Sequence, residues 1–237
     1  MPPADSGTED TLDLKLPAEV LALFATAPAG YGDDARGGLR VVDPDDHSDL
    51  LDHLDDWRPA DTPAGCFQLV PVDPGRDVDL VARWMNDPAV AEFWELAGDP
   101  DVTAKHLAGQ CAADGRSVPC LGVLDGVPMS YWEIYRADLD PLARYYPARP
   151  HDTGVHLLIG GVADRARGLG GTLLRAVSDL VLDNRPGCTR VVAEPDLRNT
   201  PSVAAFLTAG FRYCLELELP DKRAALMIRD RALRHRL

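Results

Sequence analysis

Two arginines and three glycines share the stretch Arg165-Ala-Arg-Gly-Leu-Gly-Gly-Thr172, and their spacing suits the binding of an anion. An apolar run, Val155-His-Leu-Leu-Ile159, comes shortly before it, and an amphipathic run, Leu173 to Leu182, comes directly after. Strand, glycine turn and helix in that order bring backbone N–H groups together, because glycine lets the chain turn tightly and approach a ligand. The helix adds its positive dipole end and its unpaired first N–H groups. Arg165 and Arg167 add full charge in an otherwise acidic chain, so a pyrophosphate is the natural guest. No Gly-Lys-Ser/Thr ends the loop, which sets it apart from a nucleoside-triphosphate loop. Arg-x-x-Gly-x-Gly is also not the dinucleotide spacing, and no short βαβ unit with a well-placed ribose-binding acid follows. Taken alone, such a turn serves equally as a plain structural turn.

A second segment narrows the choice. Arg190-Val-Val-Ala-Glu-Pro-Asp196 leads into Leu-Arg-Asn199-Thr-Pro-Ser202, then Val-Ala-Ala-Phe206 and Leu-Thr-Ala-Gly210-Phe211. A short β-rich run ends at a proline, Asn199 or Thr200 can cap a new helix, and Pro201 suits its first turn. Gly210 suits its end. Arg-x-x-Gly-x-Gly followed, after a strand, by Asn-x-x-Ser-x-x-x-Phe-x-x-x-Gly-Phe resembles the acetyl-CoA core of the GNAT N-acyltransferase superfamily. Further segments resemble its siderophore-biosynthesis branch: Arg83-Trp-Met-Asn-Asp-Pro88 with Glu92-Phe-Trp-Glu95, Tyr131-Trp-Glu-Ile-Tyr-Arg136, His151-Asp-Thr-Gly-Val-His-Leu157 and Glu194-Pro-Asp-Leu-Arg-Asn199. That similarity runs from about Phe67 to Arg229. Members of the branch acylate the side-chain nitrogen of lysine, ornithine, cadaverine or their N-hydroxylated forms.

Acyl transfer to nitrogen needs a neutral nucleophile, a polarised thioester carbonyl and a departing thiolate. His156 is the first candidate proton acceptor. Strand alternation separates it from Val155 and Leu157 and sends its side chain to the side of Leu158. An ordinary imidazole titrates near neutrality. A bare strand histidine is more often a satisfied core residue, but the resemblance puts a catalytic histidine at this motif position. Asp196 is the second candidate: the resemblance implies a gap between splayed strands with Asp196 at its mouth, where it could orient His156, hold an ammonium or hydroxylamine group, or relay a proton. It could equally be a helix-entry cap.

The resemblance implies coenzyme contacts from Leu158, Ile159 and Gly160 at the strand end and from Arg165, Arg167, Gly168, Leu169, Gly170, Gly171 and Thr172 in the loop. It implies further contacts from Asn199, Ser202 and Phe206. Phe206 stands where many of these enzymes carry a tyrosine that protonates the sulfur. It has no proton to give and reads as a wall for the pantetheine arm. Trp94, Tyr131, Trp132, Glu133 and Arg136 fall in segments that resemble the acceptor-binding region, although Trp132 and Tyr131 also suit a hairpin core. His47, His53, His106 and His235 lack metal-ligand spacing, and no metal is expected.

These groups need a scaffold. The chain has 237 residues, enough for one elaborated domain or a domain with an extension, and its 46% apolar content can bury a core. A formal charge of −14 argues against nucleic acid and anionic membranes and suits a small cationic partner such as a diamine or basic amino acid, and the resemblance implies a hydroxylated diamine or amino acid as well. With no apolar run long enough for a span and no signal-like start, the chain reads as cytoplasmic. The five scattered cysteines read as reduced and mostly buried thiols.

The expected organisation is an acidic extension over residues 1–65 and a catalytic domain over 66–237. In the extension, residues 1–12 are polar and read as disordered. Helices are expected over 16–26 and 46–57, a short strand over 38–42 and a linker over 59–65. In the domain, strands are expected over 67–72, 119–125, 127–135, 154–159, 190–193, 212–219 and 223–228. Helices are expected over 78–86, 88–94, 102–113, 170–183 and 201–209. The fold class is α+β, a mixed central sheet flanked by helices, and the resemblance implies splayed fourth and fifth strands with an acyl-CoA between them.

The function expected from the resemblance is acyl-CoA-dependent N-acylation of an N-hydroxylated lysine, ornithine or cadaverine by direct transfer in a ternary complex. Alternatives are acylation of the unmodified amine, an aminoglycoside-type N-acetyltransferase, and a CoA-binding module without catalysis. The extension could pack on the core, cover the acceptor site or form a homodimer contact.

Overall fold

The computed structural model describes residue 51, residues 53–111 and residues 115–235. The elements expected over 16–26 and 38–42, the polar stretch 1–12, most of the helix expected over 46–57 and the tip of the helix expected to reach 113 lie outside them.

Among the described residues, eight strands form one sheet: β1 (Ala60–Thr62), β2 (Gly65–Pro71), β3 (Ser117–Leu124), β4 (Val127–Arg136), β5 (Thr153–Ile159), β6 (Arg190–Ala193), β7 (Arg212–Glu218) and β8 (Arg223–Asp230). Their order across the sheet is β1-β2-β3-β4-β5-β6-β8-β7. Five α-helices accompany them: α1 (Pro74–Met85), α2 (Pro88–Trp94), α3 (Pro100–Cys111), α4 (Leu169–Asn184) and α5 (Thr200–Thr208). The α+β class and the order of elements follow the sequence expectation, with one strand added.

That strand replaces part of the expected linker: Ala60, Asp61 and Thr62 pair antiparallel with Phe67, Cys66 and Gly65. Pro59 to Gly65 looks like loop by composition, yet a tight turn folds it back on β2. Leu51, Leu54 and Trp57 are buried in the main core, so packing draws residues ahead of 65 into the folded body.

Local chemistry explains the boundaries. Asp125 and Gly126 take positive φ of 48° and 82° and join β3 to β4 as a tight hairpin. Asp73 caps α1 by accepting from the Gly75 N–H, with Pro74 in the first turn, and so starts that helix earlier than expected. Asp87 and Pro88 do the same for α2. Asn199 caps α5 through the Ser202 N–H.

The two faces of the sheet are filled by different helices. Trp132, Ile134 and Val155 pack with Leu173, Val177 and Val181 of α4 and Phe206 of α5. On the other face Tyr131 and Leu158 pack with Val81 and Met85 of α1 and Leu107 of α3. Cys120 and Cys188 are buried, but Cys66, Cys111 and Cys214 are exposed, contrary to the expectation of mostly buried thiols. Cys66 and Cys214 sit on β2 and on the edge strand β7, where one side faces solvent.

The fourth and fifth strands expected from sequence are β5 and β6. They run parallel and pair only at Thr153↔Val191 and Gly154↔Val192. From Val155 onward β5 pairs with β4 alone, and β6 continues along β8. The sheet opens there, and His156 stands at the opening.

Candidate active site

Register places the first two residues. Glu133 on β4 lies directly opposite His156 on β5, so both side chains leave the sheet on one face. His156 Nδ1 bonds Glu133 Oε2 at 2.8 Å, and His156 Nε2 bonds Glu194 Oε1 at 2.5 Å. Glu194 follows directly on β6, so the parallel β5–β6 pairing carries it to the imidazole. Tyr135 donates its hydroxyl to Glu194 Oε2 at 2.9 Å, and Lys222 Nζ lies 3.7 Å from Glu194 Oε1. Glu133 Oε1 is met by Tyr131 at 3.0 Å and by His106 Nε2, from α3, at 2.6 Å. The Trp94 ring stands edge-on to the imidazole at 6.1 Å, and the Tyr135 ring lies tilted at 4.9 Å.

Both carboxylates are almost covered, at 6% and 7% exposure, while the imidazole is 35% exposed. They open into a cleft of about 820 Å³ between α3, β4 and the segment from Leu139 to Pro141. Burial works against an imidazolium, but two adjoining carboxylates outweigh it and raise the His156 pKa to about 10. Burial likewise works against the carboxylates, yet their histidine partners hold Glu133 and Glu194 at about 2. The expectation of an imidazole ready to take a proton near neutrality is therefore corrected for the free protein. His156 is protonated there, because it is clamped between two anions. Asp140, at the cleft wall, is pushed up from the usual carboxylate range, by burial first and by Glu194 and Glu133 after it.

The structure brings His156, Glu133, Tyr131 and Trp94 together as sequence expected. Other candidates lie elsewhere. Asp196 does not touch His156; Arg198 grips its carboxylate from Nε and Nη2, and its Oδ1 also accepts from the Arg198 N–H. Orientation of His156 falls to Glu133 and Glu194 instead. Trp132 is fully buried, with its indole N–H on Ser130 Oγ and its ring edge against Phe67, so it is core and not acceptor wall. Its strand position is one off Glu133, which sends it to the other face. Arg136 reaches the cleft wall but commits its guanidinium to Asp138 at 2.9 Å.

Glu194, Tyr135 and His106 were missed as site residues. Glu194 stood within the Glu-Pro-Asp motif, and Tyr135 keeps the period-two spacing from Tyr131 and Glu133. Nothing in the helical pattern of α3 singles out His106.

The glycine loop has a division of labour that sequence did not show. Arg165 turns back on its own loop, donating to the Ile159 and Gly160 carbonyls at 3.0 and 2.9 Å and to Asp87 at 2.7 Å. Its charge braces the loop. Arg167 remains well exposed, with only Asp164 at 3.5 Å. Gly168 takes φ 74° as the cap of α4, a left-handed conformation that favours glycine. The N–H groups of Leu169, Gly170 and Gly171 are the orphan donors of that first turn. Thr172 already bonds back to the Gly168 carbonyl. Gly170 and Gly171 also let α5 approach, since a Cβ on Gly171 would meet Thr208 at 3.0 Å.

Asn199 is spent as the α5 cap on the Ser202 N–H. Phe206 is buried with its ring edge on Phe211 at 5.0 Å, in the main core, so its ring is not an open wall. Leu158 packs inward, whereas Ile159 is partly exposed beside the loop. Free first-turn donors, a left-handed glycine and an exposed arginine suit a diphosphate, so the loop fits a coenzyme A donor.

The open strand pair, the glycine loop and the cleft holding the clamped histidine define a class. The chain belongs to the GNAT acetyltransferase family, whose domain model, described as Acetyltransferase (GNAT) domain, matches residues 73–219. It is accordingly an acyltransferase, of a family whose donor is acetyl-CoA. It is 38% identical over 154 residues to the lysine N-acyltransferase MbtK of Mycolicibacterium paratuberculosis, a match covering 65% of this chain and 69% of that one. It is 36% identical to the N(6)-hydroxylysine O-acetyltransferase of Escherichia coli over 67% of this chain and half of that protein. These relatives place it in the siderophore-biosynthesis branch. Among solved structures, an uncharacterized Bacillus halodurans protein shares 33% identity with a TM-score of 0.70, covering 76% of this chain and 94% of that one. The aminoglycoside acetyltransferase AAC(6')-Ib with coenzyme A and kanamycin, at 23% identity and TM-score 0.64 over 72% of this chain and 98% of that one, shares the fold.

Proposed function

We propose that this protein is an acyl-CoA-dependent N-acyltransferase of hydroxamate siderophore biosynthesis. The acceptor is the side-chain nitrogen of an N-hydroxylated lysine, ornithine or cadaverine, and transfer is direct in a ternary complex. The observation that carries this reading is the clamp of His156 between Glu133 and Glu194 in a cleft whose lining sets Glu133, Glu194 and Asp140 beside Lys105, Arg116 and Arg136. The names of the relatives, lysine and hydroxylysine acyltransferases, support the acceptor class.

In this reading the glycine loop holds the diphosphate of the donor, through Arg167 and the first-turn N–H groups of α4. The thioester supplies an acyl carbon open to attack. The acceptor nitrogen forms a bond to that carbon, the carbon–sulfur bond breaks, and the thiolate leaves. The proton lost from nitrogen passes to His156 in its neutral form. The ammonium that the acceptor carries at a distance from its reacting nitrogen competes with the imidazolium for the cleft carboxylates, which lowers the proton affinity of His156 as the complex forms. A hydroxylated nitrogen is less basic than an alkyl amine and arrives neutral, so it asks for one proton removal and not two. Asp196 holds the turn into α5 with Arg198.

Turnover measured side by side on N-hydroxylysine, N-hydroxyornithine, N-hydroxycadaverine, their plain amines and an aminoglycoside tests this. A higher kcat/KM on a hydroxylated acceptor is expected, and preference for the drug overturns the siderophore reading. The relative named as a lysine N-acyltransferase favours a second reading, the unmodified lysine side-chain amine. Equal or better turnover of plain lysine would establish it.

A further inference from the structure

Glu133 is bound by two histidines, and only one of them stands at the strand opening. His156 meets Oε2 from β5, and His106 meets Oε1 from α3. The carboxylate is 6% exposed and His106 23% exposed, and both line the same cleft. Tyr131 adds a third donor at Oε1. A buried carboxylate with three donors has its orientation fixed and its charge shared among them. Because the partner is a carboxylate, His106 Nε2 carries the proton of that bond.

We propose that His106 is a positioning residue for the reaction, its Nε2–H holding the Glu133 carboxylate square to His156 and drawing off part of its negative charge. It acts through Glu133 and touches no reacting atom. Glu133 and Tyr135 from β4, Glu194 after β6 and Trp94 from α2 meet His156, Asp140 interacts with it electrostatically from the cleft wall, and the same cleft carries His106 and Lys105 from α3 with Arg116 and Arg136. Lys222 Nζ lies 3.7 Å from the same Glu194 oxygen that meets His156. Two residues meet Glu133 through ring nitrogens, His156 and His106. Removing the His106 donor leaves more of the Glu133 charge for His156, so His156 holds its proton more tightly.

The inference rests on His156 as the proton acceptor, and the test separates the two. The titration of His156 is followed by NMR in histidine-labelled full-length protein, beside the pH dependence of kcat/KM, for wild type, His106→Ala and His106→Gln. The alanine variant is expected to move the His156 titration and the acid limb of the rate profile upward by about half to one pH unit. Glutamine keeps an amide N–H near the Nε2 position and is expected to restore most of both. An unmoved His156 titration in the alanine variant, or equal shifts in both variants, overturns the proposal. A moved titration with an unmoved acid limb keeps the clamp and overturns the acceptor role of His156 instead.

Discussion

His156 and Glu133 occupy paired positions on neighbouring antiparallel strands, and their side chains join Nδ1 to Oε2 over 2.8 Å. The contact is therefore set by the hydrogen-bond ladder of the sheet and not by a loop. A slip of one residue between β4 and β5 would send one partner to the α4 face. The second clamp, to Glu194, depends on the two-residue parallel pairing that ends where the sheet opens.

The raised pKa of His156 predicts an activity that climbs with pH above neutrality. The base form is the neutral imidazole, and two carboxylates push its pKa to about 10, so the reactive fraction grows until that point. A kcat/KM profile on a hydroxylated acceptor is expected to show an acid limb above about pH 7. A flat profile from about pH 6 to 9 would contradict this assignment.

Stability should fall on both sides of neutrality. His156 has a folded pKa above its ordinary 6.5, so its contribution is complete below 6.5 and is lost as pH rises towards about 10. Glu133 and Glu194 have folded values below their ordinary 4.5, so theirs is present above 4.5 and lost as pH falls towards about 2. Thermal unfolding midpoints across pH are expected to decline at both ends, and His156→Ala should flatten the alkaline decline.

The clamp and the Asp196 turn should separate by mutation. His156→Ala is expected to lower kcat by roughly 100- to 1000-fold with little change in the KM for acyl-CoA. Glu194→Gln should cost more turnover than Asp196→Asn, because Glu194 touches the imidazole and Asp196 is held by Arg198. Steady-state kinetics on the three purified variants decide it, and an Asp196 effect as large as that of His156 would restore Asp196 as a proton-handling group.

The two loop arginines should fail in different ways. Arg167→Ala removes an exposed charge and is expected to weaken acyl-CoA binding several-fold with no loss of thermal stability. Arg165→Ala frees two carbonyls and Asp87, so it should lower both affinity and melting temperature. Calorimetric titration with acetyl-CoA and thermal melts test the pair.

Gly154→Ala offers a test at a distance from the imidazole. A Cβ there would lie 2.0 Å from the Tyr135 ring, which donates to Glu194. The ring must shift, at a cost of about 1–3 kcal/mol, and turnover should fall with it. Melts and kinetics that match wild type would show that Tyr135 does not fix Glu194.

The legible parts of the fold were those written in local chemistry. Asp125-Gly126 announces its hairpin, Gly168 the start of α4, and Asn199 with Pro201 the start of α5. The strand at Ala60 was hidden because proline, alanine and glycine around it mark a loop by composition, and only pairing with β2 makes it extended. His156 was legible through its motif, but its charge state was not. That state depends on Glu133, 23 positions away, and Glu194, 38 positions away, which meet it through strand register. Trp132 and Glu133 are neighbours in sequence and opposite in fate, since one position of alternation decides between core and cleft.

The brief parallel contact between Thr153 and Gly154 of β5 and Val191 and Val192 of β6 leaves the peptide groups beyond it facing a gap on one side. Amide donors and carbonyls spaced as in a ladder but lacking a neighbouring strand are a template for any extended molecule that carries amides of its own. Recognition of a peptide-like arm there would come from the main chain, and side chains along that rim could then vary without loss of it.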